Sequence, residues 1–128
     1  MSGPLQGIRI LDIATILAAP LAGTLMADFG ADVVKAEMPG AGDGLRNFPP
    51  FKDGKSIWWK AANRNKRFIT LDLRKPEGAA LLLKMLPKFD VLLENFRTGT
   101  LARWGLDTET LWKANPNLII LRATAFGQ

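Results

Sequence analysis

The strongest constraint on the fold is a succession of short β-branched runs set apart at crossover spacing. Ile8-Arg9-Ile10-Leu11-Asp12-Ile13 is followed by Pro20 to Phe29, where small and apolar residues recur at helical spacing before Gly30. Asp32-Val33-Val34-Lys35-Ala36-Glu37 comes next. A glycine just past a helical pattern is a C-terminal stop, and the interval between the two runs is about what a parallel crossover needs. The opening segment is therefore predicted to be a βαβ unit.

The alternation continues. Phe68-Ile69-Thr70-Leu71-Asp72-Leu73 predicts a third strand, and Lys75-Pro76-Glu77-Gly78 opens a helix with proline near its first position and an acid in its first turn. Ala79 to Leu86 supplies that helix with an apolar face, and Pro87 ends it. Asp90-Val91-Leu92-Leu93-Glu94 predicts a fourth strand whose uninterrupted apolar centre fits burial on both faces. Thr98-Gly99 leads into a short helix through Trp104, Asp107-Thr108-Glu109-Thr110 caps another that Asn115-Pro116 terminates, and Leu118 to Leu121 is the fifth strand. Met38 to Ser56 holds four glycines and three prolines and is predicted to be an excursion or lid without regular structure, with a short helix over Ile57 to Ala62. The expected fold class is α/β, a Rossmann-like doubly wound parallel sheet. Ligands of such sheets sit beyond the carboxyl ends of the strands. A fifth strand running into the loop Arg122 to Gln128 leads us to expect a binding half whose catalytic half lies further along.

With 128 residues, 48% hydrophobic and 23% charged, the chain has material for one globular core. It contains no cysteine and no histidine, so Cys/His zinc sites, disulfides, thiol catalysis and serine–histidine chemistry are excluded within it. Met1 to Gly7 lacks the basic and apolar regions of a secretory signal, and no apolar run reaches the roughly 20 residues that span a membrane. A cytoplasmic location is expected. The net charge of +5, concentrated between Lys52 and Lys75, favours an anionic partner, which charge alone does not specify.

The first strand-to-helix turn, Asp12 to Pro20, has no glycine, which argues against a dinucleotide fingerprint or a P-loop. It either faces a ligand or simply connects two elements. Asn63-Arg64-Asn65-Lys66-Arg67 with Arg74 and Lys75 places five cations around one strand, as the lining of a polyphosphate groove or as a solvated charge run. Glu94-Asn95-Phe96-Arg97-Thr98-Gly99-Thr100, with Arg103, offers an amide, an aromatic face and cations beyond the fourth strand; the alternative is a helix-entry turn with Phe96 in the core. Trp58, Trp59, Trp104 and Trp112 are read as core or interface residues rather than base-stacking platforms. Asp12, Asp28 and Asp43 match no metal-ligand spacing.

Taken in order, Gly7 to Asp12, Ala27-Asp28-Phe29-Gly30-Ala31-Asp32-Val33-Val34-Lys35-Ala36-Glu37, Asn63 to Arg67, Leu71-Asp72-Leu73, Asp90 to Arg97 and Phe126-Gly127-Gln128 resemble the class III coenzyme A transferases. That family includes formyl-CoA:oxalate and carnitine CoA-transferases and the related α-methylacyl-CoA racemases. The resemblance implies that residues 1–128 are the N-terminal, CoA-binding part of the large domain of an interlocked dimer, with the rest of that domain and a small domain outside this chain. It implies acyl-CoA and a carboxylic acid as partners, CoA as substrate and no permanently bound cofactor, a homodimer when complete, and neither nucleic acid nor membrane as partner. The positions matching the family's CoA contacts are Leu17, Ala18, Leu71, Asp72, Leu73, Arg74, Asn95, Phe96, Arg97 and Arg103. Formyl-CoA transferase has a glutamine at Leu17 and an arginine at Met38, a difference that points away from oxalate and formate. The aspartate nucleophile, which would carry CoA transfer through an aspartyl intermediate, is expected beyond Gln128. So is the racemase acid/base pair, which keeps racemisation as the alternative activity. A noncatalytic nucleotide- or nucleic-acid-binding module is the alternative of another class.

Overall fold

The computed structural model describes residues 3–127; Met1, Ser2 and Gln128, which closes the Phe126-Gly127-Gln128 block, lie outside the described residues. Strand β1 (Arg9–Asp12), helix α1 (Ala18–Asp28) and strand β2 (Asp32–Glu37) form the predicted βαβ unit. Next come a 3-10 turn (Gly44–Asn47), a hairpin of β3 (Phe51–Lys52) and β4 (Lys55–Ser56), and α2 (Ile57–Ala62). Strand β5 (Arg67–Thr70), α3 (Pro76–Met85), β6 (Val91–Glu94), α4 (Thr100–Arg103), α5 (Thr108–Ala114) and β7 (Ile119–Arg122) complete the chain. The main sheet is parallel, in the order β5-β2-β1-β6-β7. The order reverses between β1 and β6, which opens a crevice at their carboxyl ends.

Register and pleat divide the side chains between two faces. Leu11, Val34 and Leu92 lie level with one another and join Leu82, Leu86 and Leu111 in the larger apolar core, beneath α3 and α5. Ile10, Val33 and Leu93 point the other way and pack with Ala27 of α1. Burial on both faces is why these strands read as continuous apolar runs. Some apolar surface stays open: Leu21, Leu25 and Phe29 along α1, and Ile119 and Leu121 on β7. Among the described residues, no helix is long and apolar enough to cross a membrane.

Two expectations need correction. The third strand stops at Thr70 rather than Leu73. Leu71 N–H still donates to the Glu37 carbonyl at 2.8 Å, but the Asp72 carboxylate accepts the Arg74 N–H at 3.1 Å and bends the chain into a turn. The 38–56 excursion is also partly regular. Asp53 and Gly54 have φ of 51° and 69°, the two left-handed residues that a tight type I′ hairpin turn requires. Capping follows the sequence more closely: Ser56 accepts from Trp59 N–H at the start of α2, and Asp107 from Thr110 N–H at the start of α5.

Candidate functional site

The turn from β1 into α1 lies at the point of strand reversal, and its backbone is held by side chains from four other places. Ala14 N–H donates to Asp12 Oδ1 at 3.0 Å, and Lys35 Nζ donates to the Ala14 carbonyl at 2.7 Å. Asn95 pairs with Thr15 in both directions, Oδ1 accepting its N–H at 2.8 Å and Nδ2 donating to its carbonyl at 2.7 Å. Ile16 N–H lies 3.0 and 3.1 Å from the two Asp43 carboxylate oxygens. Ile16 has φ of 64°, in the left-handed region that a β-branched residue avoids. The amides of residues 14 to 16 are thus all consumed by protein acceptors. An anion in this crevice finds no donor among those three amides.

The charged groups that hold the turn are buried. Lys35 Nζ lies 2.9 Å from Asp43 and 3.8 Å from Asp12, and Lys66 Nζ lies 2.8 Å from Asp12, all with side chains at most 1% exposed. Lys66 also donates to the Pro20 carbonyl at 2.6 Å and to Asn63 Oδ1 at 3.0 Å. Burial pushes the Lys66 ammonium below its usual value, and the charge and hydrogen bond of Asp12 oppose that shift without cancelling it. Two lysines and two aspartates balance in charge, as buried ions must.

Beside this turn is a cleft of about 490 Å³, counted to its open mouth, between Ile13–Thr15, the end of β2, residues 71–74, Phe96 and Trp104. Phe96 and Trp104 meet edge to face, with ring centroids 5.2 Å apart. On the rim, Arg74 grips Asp72 with two hydrogen bonds of 2.9 Å, and this fork is the main cause that holds the Asp72 carboxyl down at about 2. Burial would raise the Glu37 carboxyl at the end of β2. The Arg46 fork at 2.7 and 2.8 Å, the Asp43 N–H at 2.8 Å and the charges of Arg46 and Lys35 outweigh it, and Glu37 stays below its usual range. The Arg46 guanidinium stacks over Trp59, 3.6 Å from the ring centroid.

The structure brings Leu71, Asp72, Leu73, Arg74 and Phe96 together around that cleft, with Met38 on its wall. Leu17 is the N-cap of α1 and Ala18 its first residue, just beyond the turn. Asn95 spends its amide on Thr15 and so shapes the turn. Arg97 lines a second, more polar cleft with Glu94, Thr108 and Arg122. Arg103 is exposed at the end of α4 and donates to Thr100 Oγ1 at 3.0 Å.

The basic stretch does not form one polyphosphate groove, because its cations are largely spent on acids. Arg64 pairs with Asp28, Lys66 with Asp12, Arg67 with Asp32 and Arg74 with Asp72. Sequence reasoning missed Lys35 and Asp43 as builders of the site. The available signal was an acid in one apolar strand and a lysine in the next, Asp12 and Lys35, which turn out to be register partners.

Residues 5–128 match the profile of CoA-transferase family III. The chain belongs to that family. Among its family III relatives, the β subunit of succinyl-CoA–L-malate CoA-transferase from Chloroflexus aurantiacus is 51% identical over 98% of this chain and 31% of that protein. Succinate–glutarate CoA-transferase from Agrobacterium fabrum is 46% identical over 98% and 33%. The crystal structure of a CAIB/BAIF family protein from Brucella suis superposes with a TM-score of 0.87 at 39% identity, over 95% of this chain and 33% of that one. The chain thus spans about a third of the length of these relatives.

Proposed function

We propose that this chain is the CoA-binding part of a transferase that moves CoA from an acyl-CoA to a carboxylic acid. The observation that carries the reading is the convergence of the β1–α1 turn, residues 71–74 and Phe96 on one cleft at the carboxyl ends of adjacent strands. In this reading Arg74, Arg97 and Arg103 offset the phosphates of the 3′-phosphorylated ADP, and Leu71 and Phe96 cover the adenine. Asp72 and Leu73 shape the wall, and Leu17, Ala18 and Asn95 line the approach to the thioester. With the amides of residues 14 to 16 consumed, this reading assigns the phosphates to arginines.

In this reading the transfer runs through an aspartate carboxylate nucleophile, which we place outside these residues. It attacks the acyl-CoA carbonyl and expels the CoA thiolate, leaving a mixed anhydride. The thiolate returns to the enzyme's own acyl carbon and releases the first acid, leaving an enzyme thioester. The incoming carboxylate attacks that thioester and expels the thiolate, which then attacks the incoming acyl carbon of the new anhydride and frees the enzyme carboxylate. The Chloroflexus and Agrobacterium relatives carry transferase names, which favours transfer over racemisation, and the first of those names makes succinyl-CoA the donor to test first. Leu17 and Met38, apolar on this side of the crevice, disfavour oxalate. We further propose that the complete protein is a homodimer in the cytoplasm. The pairing of Arg64, Lys66 and Arg67 with acids argues against a nucleic-acid-binding module.

The test is calorimetric titration of the protein, as its source makes it, with CoA and dephospho-CoA. We expect tighter binding of CoA, and weaker binding of CoA to Arg74→Ala and Arg103→Ala. Equal affinity for the two ligands, together with polynucleotide binding that falls steeply with salt, would overturn the reading.

A further inference from the structure

We infer that Asp43 is a positioning residue for this site: it holds Ile16 in the left-handed conformation and thereby sets the direction in which Leu17 and Ala18 leave the sheet. The inference rests on the CoA-binding reading for its functional consequence, but its structural part stands alone. A left-handed residue is free of steric cost only if it is glycine, and position 16 is isoleucine, whose branched Cβ crowds the backbone there. Such a conformation persists only where its surroundings over-determine it. The surroundings here are specific. Both Asp43 oxygens face the Ile16 N–H, and the carboxylate is fixed by the Leu45 N–H at 2.8 Å and by Lys35 Nζ at 2.9 Å. Lys35 in turn grips the Ala14 carbonyl, so this one ion pair clamps both ends of the turn. Asp43 belongs to the excursion after β2 rather than to the strand ends, and its own N–H is tied to Glu37. The excursion thus reaches the backbone of the crevice turn through the Asp43 carboxylate.

A carboxylate that merely stabilised the fold would matter equally whatever residue stood at 16. One that maintains the left-handed turn matters less once glycine removes the strain. The experiment is a double-mutant cycle in the complete protein with Asp43→Asn, Ile16→Gly and the combination. It is read as kcat and KM for succinyl-CoA and as hydrogen exchange of the Ile16 amide. We expect Asp43→Asn to lower kcat/KM roughly tenfold in the native background and less than about threefold in the Ile16→Gly background. Ile16 exchange should accelerate, in native Ile16 protein, on loss of the carboxylate. Equal losses in the two backgrounds, or an Ile16 amide as protected in Asp43→Asn as in the parent, would overturn the inference. Asp43→Glu keeps the charge opposite Lys35 while moving the oxygens, and it carries the same test if the asparagine variant fails to fold. If the parent protein neither binds nor turns over an acyl-CoA, the functional reading fails and the exchange measurement still decides the role of Asp43.

Discussion

Beneath α3 the sheet is closed by leucines, whereas beneath the start of α1 it is closed by two lysines and two aspartates. Leu82, Leu86, Leu92 and Leu111 are fully buried and fill their space by volume alone. Lys35, Lys66, Asp12 and Asp43 are equally buried but are bound by direction, each charge needing a partner at hydrogen-bond distance. The apolar side tolerates loss in proportion to the volume removed. On the polar side, removal of any one member leaves another ion uncompensated. The directional face also carries the crevice turn, so geometry is strictest where ligand recognition is proposed.

That contrast is open to attack, most severely at Lys35. Lys35→Met leaves Asp43 buried without its ammonium and should lower stability by about 4 kcal/mol, measured as a shift in the urea midpoint of the complete protein. A loss under about 1 kcal/mol would mean that the polar side is not held by charge. On the other face, Leu82→Ala should cost about 3 kcal/mol by leaving a cavity, with no change in the exchange rate of the Ile16 amide. A changed rate would show that the two faces are not independent. A subtler effect is expected at the rim. Arg74→Ala should return the Asp72 carboxyl from about 2 towards 3.8, read by NMR titration of its carboxyl carbon. Because the folded value is depressed, the stability tied to this group is present above 3.8 and is lost as pH falls towards 2. Arg74→Ala should flatten that part of the acid limb. The smallest effect belongs to the exposed pair of Arg67 and Asp32, where Arg67→Ala should change stability by less than about 1 kcal/mol and less still at high salt.

The same contrast explains what could be read from the residues. Short apolar runs announce strands in sequence, so β1, β2, β6 and β7 fall within a residue or so of expectation, although Ile119 and Leu121 of β7 stay exposed. Leu71-Asp72-Leu73 keeps the alternation of a strand, and only the Asp72 side chain turning onto the Arg74 amide ends β5 early. Asp53-Gly54 was a legible hairpin signal within a glycine- and proline-rich stretch that otherwise suggests irregular chain. In the site, residues 71–74 and Phe96 were legible through the family resemblance and do share the cleft. Lys35 and Asp43 were not, because the value of a charge inside an apolar segment depends on a partner distant in sequence. Asn95 was found for its amide, which turns out to serve the protein's own backbone.

One close contact bears on how the cleft can move. At Gly78, in the first turn of α3, any Cβ would overlap the carbonyl oxygen of Asp72, so helix and rim touch backbone to backbone with no side chain between them. Residues 72–74 therefore cannot move into the helix without displacing α3, and with it the layer of leucines it covers. On that side the rim is, mechanically, an extension of the core.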